Sequence, residues 1–394
     1  MEREKKLIED IISIRLWQGL FVVFILFILS IIYLEQKSQK NTLTIASRPT
    51  PPRIKLENGA IELFDPVLKS VEAPSLSPDG SQITYMEHGE ENQLFEYEVD
   101  SIWVAKRNHQ KQWTPIKLVA GNQPLIGHTE TFFNPTFDNR GKYIIMGYAG
   151  FTNILGLPIL PTIQTGIDLL ENGKQNLWLT PKILNIGKEI IQHPRLSPDG
   201  QWLAFYTRKQ KITRGIYLYN VISKKTFHIS NHDDKHPTWS PDGTKLLFHY
   251  QKGGDALDSQ PSNQPEQAYL GYFDFTCLEK NEVKCRRVLL DTSNETYTYF
   301  KHPTQLVGTN LLFFHGKLNA KGRHVLMVRR LEINGPIYCL QIEINGHKLT
   351  EIKHPASSNT KPVLVFLGKT GSHQTYHVYQ LTNEALQTIE QVVQ

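Results

Sequence analysis

The sequence predicts an all-β fold, a six-bladed β-propeller preceded by one transmembrane helix. Two observations carry this prediction: a turn motif that recurs along most of the chain, and an uncharged apolar run near its start. The composition, with 40% hydrophobic and 21% charged residues among 394, excludes a collagen-like, coiled-coil or largely disordered chain. The net charge of +5 is small for this length, so it gives no reason to expect nucleic-acid binding.

The apolar run extends from Leu16 to Leu34 and reads LWQGLFVVFILFILSIIYL, without a charged residue. At about 1.5 Å per residue, a helix of this length approaches the roughly 30 Å hydrocarbon core of a bilayer. Trp17 and Tyr33 stand near its ends, where amphipathic rings favour the interface. A cleaved signal peptide is the alternative, but residues 35–37 are Glu-Gln-Lys and no small-residue cleavage site follows. We therefore expect an uncleaved anchor.

The domain organisation follows from the position of this run. Nearly all of the chain that is able to fold lies after it, and basic residues are slightly more numerous before it than after it. We expect a cytoplasmic stub over 1–15, the transmembrane helix over 16–34, an extended Pro-rich linker over 35–58 and the propeller over 59–394.

The recurring motif defines the repeats. Three copies are clear: APSLSPDG at 73–80, HPRLSPDG at 193–200 and HPTWSPDG at 236–243. Three weaker copies are NPTFDNRG at 134–141, HPTQLVGT at 302–309 and HPASSNTK at 354–361. When the six prolines are aligned, the ninth residue after each is aliphatic: Ile83, Ile144, Leu203, Leu246, Leu312 and Leu364. The eleventh is again large and apolar: Tyr85, Met146, Phe205, Phe248, Phe314 and Phe366. Apolar residues two apart at a fixed offset indicate a strand.

The motif itself predicts a type I turn. Serine accepts a hydrogen bond at the first position, proline pre-sets φ at the second, and glycine takes the fourth. Each repeat is therefore a hairpin, and further strand-like segments follow it, such as IWVAKR at 102–107 and IYCLQIEI at 337–344. Units of about four strands, repeated along the chain, are typical of propeller blades.

These residues carry a resemblance to a known family. The pattern H-P-x-(L/W)-S-P-D-G, followed by the two apolar positions, resembles the TolB-type, WD-like propeller repeat of bacterial envelope proteins and of some peptidase propeller domains. The resemblance covers about residues 60–394, and it implies a propeller in a bacterial cell envelope. This chain differs from TolB in its predicted anchor and in lacking room for TolB's N-terminal α/β domain. With the anchor, the resemblance predicts a single-pass inner-membrane protein with a cytoplasmic N-terminus and a propeller in the periplasm or outside the cell.

The repeat says little about activity. No Gly-x-Ser-x-Gly elbow and no hydrolase domain occur in the chain, so we do not expect a serine peptidase. A lactonase-like propeller hydrolase with a metal at the channel mouth is the alternative. It needs inward-facing carboxylates, whereas Asp79, Asp199 and Asp242 are explained by the turns.

Four of the aligned prolines follow a histidine: His193, His236, His302 and His354. We expect these side chains at the mouth of the central channel, where they would bind a ligand. Alternatively, each imidazole makes a backbone hydrogen bond at a blade junction. A metal is not expected, because equivalent positions around a propeller ring are generally too far apart for tetrahedral nitrogen ligands.

Two further features suggest sites. The apolar insertion at 150–172 predicts either a partner-docking loop or a cover for its own blade, through Ile154, Leu155, Leu157, Ile159 and Leu160. Cys277 and Cys285 flank a hairpin-like segment and predict a possible disulfide, with two free thiols as the alternative. Cys339 is expected to be a buried small hydrophobe.

The sequence therefore favours a membrane-tethered, extracytoplasmic, non-catalytic scaffold that binds a protein or a peptide, without a cofactor. Its partners would be an envelope protein or peptide and the membrane, with no nucleic acid. Glycan binding is a third possibility and would need exposed aromatics in one groove, drawn from Trp103, Trp113, Trp178, Trp202 and Trp239.

Overall fold

The computed structural model describes residues 52–65, 71–88, 100–110, 112–121, 126–154, 157–158, 164–171, 191–207, 214–230, 233–252, 267–275, 285–290, 299–317, 322–331, 335–371 and 375–393. They belong to the compact unit Pro51–Gln394. Two strands precede the repeats, β1 (Arg53–Glu57) and β2 (Ala60–Phe64). Part of the expected linker, residues 53–57, is thus a strand, and the described body begins before Gly59. The predicted stub and transmembrane helix lie outside the described residues.

The strands that follow form units, each of which begins with the strand that carries one aligned proline. The first unit comprises β3 (Val71–Leu76), β4 (Gln82–Glu87), β5 (Ser101–Arg107) and β6 (Trp113–Val119). The second comprises β7 (Ile126–Phe137), β8 (Tyr143–Ile154), β9 (Leu157–Pro158) and β10 (Gln164–Glu171). The third comprises β11 (Ile191–Leu196), β12 (Trp202–Thr207), β13 (Gly215–Asn220) and β14 (Thr226–His228).

The later units have the same order. The fourth comprises β15 (Asp234–Trp239), β16 (Lys245–Lys252), β17 (Gln267–Asp274) and β18 (Arg286–Leu289). The fifth comprises β19 (Phe300–Gln305), β20 (Leu311–Lys317), β21 (His324–Arg330) and β22 (Tyr338–Ile344). The sixth comprises β23 (His347–Ser357), β24 (Leu364–Thr370) and β25 (His377–Leu381). Helix α1 (Asn383–Val392) follows, and the Thr382 hydroxyl caps it by accepting from the Ala385 N–H.

The units are antiparallel meanders in a ring. Neighbouring strands pair in chain order, except in the second unit, where β8 lies between β7 and β10 and also pairs with the short β9. The first strand of each unit contacts that of the next, and β23 contacts β3, which closes the ring. Strand β2 completes the sixth unit by pairing antiparallel with β25, and β1 pairs parallel with β22. Strand meanders arranged in this way around a channel constitute a β-propeller.

The predicted repeat pattern explains the core. All twelve residues at the ninth and eleventh positions after the aligned prolines lie in second strands and are at most 5% exposed. The predicted turns are also present, since the Gly80, Gly200 and Gly243 amides donate to the Ser77, Ser197 and Ser240 carbonyls at 2.8–2.9 Å. These glycines have φ of +70° to +75°, a conformation that favours glycine. The turn prediction is confirmed.

Every first strand carries a bulge at its aligned proline. Its register with the second strand shifts at this point in all the units. The residue before each proline has a left-handed φ of +49° to +53°, although local sterics push a residue that precedes proline towards extended conformations. A bulge re-aims the side chain that it contains, and proline is tolerated there because it has no ladder hydrogen bond to lose. The bulges thus set the direction of the six side chains before the prolines.

One prediction is corrected. Within the ranges given above, the structure has no helix whose length and apolar character would let it cross a lipid bilayer. This finding contradicts the predicted localisation as a single-pass inner-membrane protein with a periplasmic propeller, which we withdraw together with the membrane as a partner. That prediction depended on residues 16–34, which the described ranges do not include.

Candidate ligand-binding channel

The four proline-linked histidines come together inside the channel. The ring centroids of His193 and His236 are 3.7 Å apart, those of His236 and His302 4.1 Å, and those of His302 and His354 4.1 Å. The imidazoles are therefore in mutual contact at the centre of the ring of first strands. This arrangement is much tighter than the wide separation that the sequence led us to expect.

Of the four histidines, which all line one cavity, His236 and His302 are half-buried and the other two are buried. His193 and His354 are only 7% and 8% exposed. At the junctions between units, it is the backbone amides that are engaged: the His193 N–H donates to Asn134 Oδ1 at 3.3 Å, and the His354 N–H donates to His315 Nδ1 at 3.1 Å. The bulge thus places the backbone at the junction and the side chain in the lumen.

Burial determines the charge of this group. It lowers the pKa of His193, His236 and His302 well below the usual 6.5, and nearby cationic or imidazole side chains add to the effect. Burial also lowers the pKa of His354 to about 4. The histidines are therefore neutral at pH 7.

Two histidines of second strands extend the cluster. The His249 ring lies 4.4 Å from that of His236, and the His315 ring lies 5.0 Å from that of His302, measured between centroids. Burial lowers the pKa of both well below its usual value. We call these six side chains the histidine cluster: His193, His236, His249, His302, His315 and His354.

Several nitrogens of the histidine cluster lack a partner. His236 Nδ1, His354 Nδ1 and both ring nitrogens of His249 are buried without a hydrogen-bond partner among the described residues. A neutral imidazole has one N–H donor and one acceptor nitrogen, and leaving such a group unpaired costs about 1–3 kcal/mol. Buried polar groups without partners are rare in folded proteins, so their concentration here points to a site.

A cavity of about 70 Å³ adjoins the cluster and is lined by first-strand residues of every unit. Part of the cavity lining consists of the residues that directly follow the aligned prolines, one from each unit. Four of them carry hydroxyls: Ser75, Thr136, Thr238 and Thr304. The sixth unit contributes Ala356, and the third contributes Arg195, the one cation among the residues that line the cavity.

Arg195 was not singled out from the sequence. Its Nη1 donates to the Pro194 carbonyl at 2.8 Å, and its own carbonyl accepts from Trp239 Nε1 at 3.0 Å. No described carboxylate forms an ion pair with it. Burial lowers the pKa of Arg195 to about 10, so the guanidinium remains protonated at neutral pH.

The acidic residues near the cavity serve the turns, as the sequence predicted. Asp79, Asp199 and Asp242 each accept from the serine two residues earlier, at 2.5–2.6 Å, and from a backbone amide two residues later. Asp138, which lines the cavity, accepts from the Tyr143 amide at 2.8 Å. Burial opposes ionisation of Asp79 and Asp242, but their hydrogen bonds outweigh it and lower the pKa of both.

Metal and glycan sites find no geometric support. Among the described residues, no three His, Cys, Asp or Glu side chains are arranged to hold a metal ion. The four tryptophans that the structure describes pack in two separate clusters, Trp103 and Trp113 in one and Trp202 and Trp239 in the other, so they do not line one groove. Trp178 lies outside the described residues.

Most residues of the remaining predicted sites lie outside the described residues. Leu155, Ile159, Leu160 and Cys277 are not described, and only the backbone is described at Ile154 in β8 and Leu157 in β9. The docking role of this insertion stays a prediction. Cys285 has a free, half-buried thiol, and Cys277 lies outside the described residues, so the disulfide stays a prediction. Cys339 is 3% exposed, which confirms its burial.

Comparison with known proteins gives fold likenesses only. No family model and no curated protein match the sequence. The chain is similar to a putative TolB from Agrobacterium tumefaciens, at 12% identity, a TM-score of 0.49, and coverage of 79% of this chain and 90% of that one. It is similar to TolB from Acinetobacter baumannii at 13% identity, a TM-score of 0.47, and coverage of 78% and 65%.

The propeller domain of the Trilobed protease from Pyrococcus furiosus is a further likeness, at 14% identity and a TM-score of 0.42, with 79% of each chain covered. At this level of identity, such likenesses say nothing about function. The fold is established by the strand pairings and the closed ring of first strands. The chain has the propeller fold that its repeats predicted, and TolB proteins are among the solved structures that it resembles.

Proposed function

We propose that the protein is a six-bladed propeller that binds a peptide or a protein segment, without catalysis, in the cavity at the centre of its ring. One observation carries the proposal: the cavity is framed by equivalent positions of all the units, yet its chemistry is different on each side. A symmetric frame with asymmetric polar groups is suited to orienting a single asymmetric ligand.

The dimensions favour a chain end or a side chain over a whole small molecule. The volume of about 70 Å³ holds a few water-sized groups, whereas sites for drug-sized ligands measure roughly 300–1,000 Å³. The imidazoles in mutual contact occupy the channel below the cavity, so an extended chain does not continue past them. A partner would therefore insert one group and rest the remainder of its segment on the turns at the rim.

The rim is suited to such contact because its turns are rigid. Ser358 Oγ donates to the Pro78 carbonyl at 2.6 Å, and Asn139 Nδ2 donates to the Pro198 carbonyl at 3.2 Å, so turns of neighbouring units are tied to each other. A preorganised surface loses little conformational entropy when a partner binds. No observation on the described residues favours the alternative of a metal-dependent hydrolase.

The proposal is tested by selecting peptides from a random displayed library against the full chain. The variant Thr238→Trp fills the cavity, and Thr226→Trp, at an exposed position of β14, is its matched control. We expect selected peptides to bind the unsubstituted protein and Thr226→Trp alike, and Thr238→Trp at least about tenfold more weakly. Circular dichroism confirms that both variants fold. A library without binders, or binders indifferent to Thr238→Trp, would overturn the proposal.

A further inference from the structure

Arg195 differs from the residues at the equivalent position of the other units. In each of the other five units, the residue after the aligned proline is small: Ser75, Thr136, Thr238, Thr304 and Ala356. Neither the bulge nor the turn needs an arginine there, because the other units form both without one. The guanidinium is therefore an addition to the frame, and it lines the cavity.

The guanidinium lacks a counter-ion within the described part of the chain. Arg195 is half-buried, and a partly desolvated cation costs free energy unless it is paired. Arginine is the side chain best suited to pair with a planar anion through two parallel hydrogen bonds. The one carboxylate that lines the cavity, Asp138, lies outside ion-pair distance of Arg195 and accepts from a turn amide. The pairing capacity of Arg195 is thus available to a ligand.

The surroundings of Arg195 also suit an anion. The Thr238 hydroxyl, which lines the cavity, offers a further donor. The other hydroxyls are engaged: Ser75 and Thr136 lie 3.2 Å apart, oxygen to oxygen, and share one hydrogen bond. Thr304 donates to Ser357 at 2.7 Å, because the Ser357 hydroxyl itself donates to the Gln305 carbonyl. The unpartnered His236 Nδ1 and His354 Nδ1 belong to residues that line the same cavity. A neutral imidazole in the right tautomer donates an N–H to an anion without adding charge of its own.

We infer that the cavity is a carboxylate site in which Arg195 binds the carboxylate of the inserted peptide, with hydroxyl and imidazole groups as additional donors. This inference rests on the proposed function in taking the carboxylate from a peptide. One guanidinium beside neutral imidazoles balances a single negative charge, which favours a carboxylate over a phosphate dianion. The carboxylate comes from a chain terminus or from an acidic side chain.

A first experiment needs no peptide. The melting temperature of the full chain is measured at pH 7 in sodium acetate and in acetamide, with sodium chloride added to match ionic strength. We expect acetate, but not its neutral analogue, to raise the melting temperature by about 1–3 °C. Arg195→Thr should abolish the rise, and it should fold because Thr136, Thr238 and Thr304 occupy the same position. Arg286→Thr, at an exposed arginine of β18, is the matched control and should keep it.

A second experiment uses the selected peptides. Each is compared as the free acid and as the C-terminal amide, and with internal Asp or Glu replaced by Asn or Gln. Loss of the carboxylate that enters the cavity should weaken binding about 10- to 100-fold, and Arg195→Thr should remove this difference. The arm that responds identifies a chain terminus or a side chain as the source.

Each result decides between the proposals. Equal effects of acetate and acetamide, or an acetate effect that survives Arg195→Thr, would overturn the carboxylate site. Inorganic phosphate that stabilises more than acetate does would also overturn it, in favour of a phosphate site. If peptides bind equally well to the unsubstituted protein and to Arg195→Thr, peptide binding is supported and the role of Arg195 in binding a carboxylate is refuted. If acetate stabilises the protein through Arg195 but no peptide binds, the proposed function is refuted and the carboxylate site is supported.

Discussion

The first two units and the last four share a backbone but differ in side chains. At the position before the aligned proline, Ala73 and Asn134 have φ of +49° and +52°, and the four histidines have φ of +49° to +53°. Since alanine and asparagine adopt this conformation in the same bulge, the bulge does not depend on an imidazole. The strained backbone is a property of the ring, whereas the histidine cluster is an addition confined to one part of it.

Histidines of the two regions also differ in charge. In the first unit, His88 is partly buried, which opposes protonation, but hydrogen bonds to Asp100 and Glu72 outweigh burial and raise the pKa of His88 to about 10. Its Nδ1 lies 3.0 Å from Asp100, and its Nε2 lies 3.4 Å from Glu72. In the histidine cluster, imidazoles contact one another and burial prevails. Burial is the largest single influence on the pKa in both regions, and at His88 the two neighbouring carboxylates outweigh it.

The largest expected effect that separates the two regions is destabilisation in acid. The folded-state pKa values of the histidine cluster lie below the unfolded value of about 6.5, so the unfolded chain binds more protons as the pH falls. The free energy of unfolding should be highest above about pH 6.5 and should decrease as the pH falls towards 4. His354, whose folded-state pKa is about 4, should by itself contribute a loss of about 2 kcal/mol between pH 6.5 and pH 5, and the other cluster histidines should add to it; urea denaturation across this range measures the loss.

The control for this prediction places a residue type of the second unit at the equivalent position of the fifth unit. His302→Asn introduces the residue that the second unit carries at this position, and asparagine tolerates the left-handed φ of +53°. The variant should lose about one histidine's share of the acid dependence. Stability that does not change between pH 7 and pH 5 in the unsubstituted protein would contradict the buried, neutral state of the cluster.

A smaller effect should be common to both regions. Gly141 in the second unit and Gly200 in the third have φ of +67° and +75°, so a β-branched residue is strained at either position. Gly141→Val and Gly200→Val should each lower the free energy of unfolding by about 1–3 kcal/mol, measured by urea denaturation. Gly200→Val should cost more, because its Cβ would lie 2.9 Å from Asn139 Nδ2.

Gly308→Ala separates strain from contact, since its φ is +76° and a Cβ there meets nothing within 4 Å. It should cost about 1 kcal/mol. If Gly141→Val left the free energy of unfolding unchanged while Gly200→Val lowered it, the two units would not have equivalent turns.

The smallest effect concerns His88. Because its folded-state pKa is raised, its contribution to stability is complete below pH 6.5 and is lost as the pH rises towards about 10. His88→Gln should lower the free energy of unfolding by about 1 kcal/mol at pH 6, discounted for solvent screening at the half-exposed Glu72. His109→Gln, at an exposed turn, is the matched control. An alkaline stability profile that is the same in His88→Gln and in the unsubstituted protein would refute the charged state.

The repeats predicted the frame because their signal is local and periodic. Leu246 and Phe248 fall at fixed offsets from Pro237, and both have no exposed surface. The turn chemistry is also local, so Ser240 and Gly243 could be assigned without a structure. The bulge could not be predicted, since a residue before proline ordinarily adopts an extended conformation. Strand β1 was missed because its short sequence RIKLE resembles the polar chain before it.

The site was predicted less well than the frame. The four proline-linked histidines were identified, but their mutual contact depends on how far the bulges project into the ring, which spacing does not reveal. Arg195 did leave a signal. A comparison of the residues after the aligned prolines would have found one arginine among small residues. His249 and His315 also share one position in the repeat, the twelfth residue after the aligned prolines Pro237 and Pro303.

The pairing of β2 with β25 constrains how the chain folds during its synthesis. Glu62 and its hydrogen-bond partner His377 are 315 residues apart in sequence. At a translation rate of about 5–20 residues per second, β2 waits on the order of tens of seconds for its partner strand. Meanwhile its backbone groups face solvent or other chains, which is a recognised route to aggregation. The earlier meanders pair mainly within themselves and are able to form as they emerge, so ring closure through β2 is the late, topologically slow step of folding.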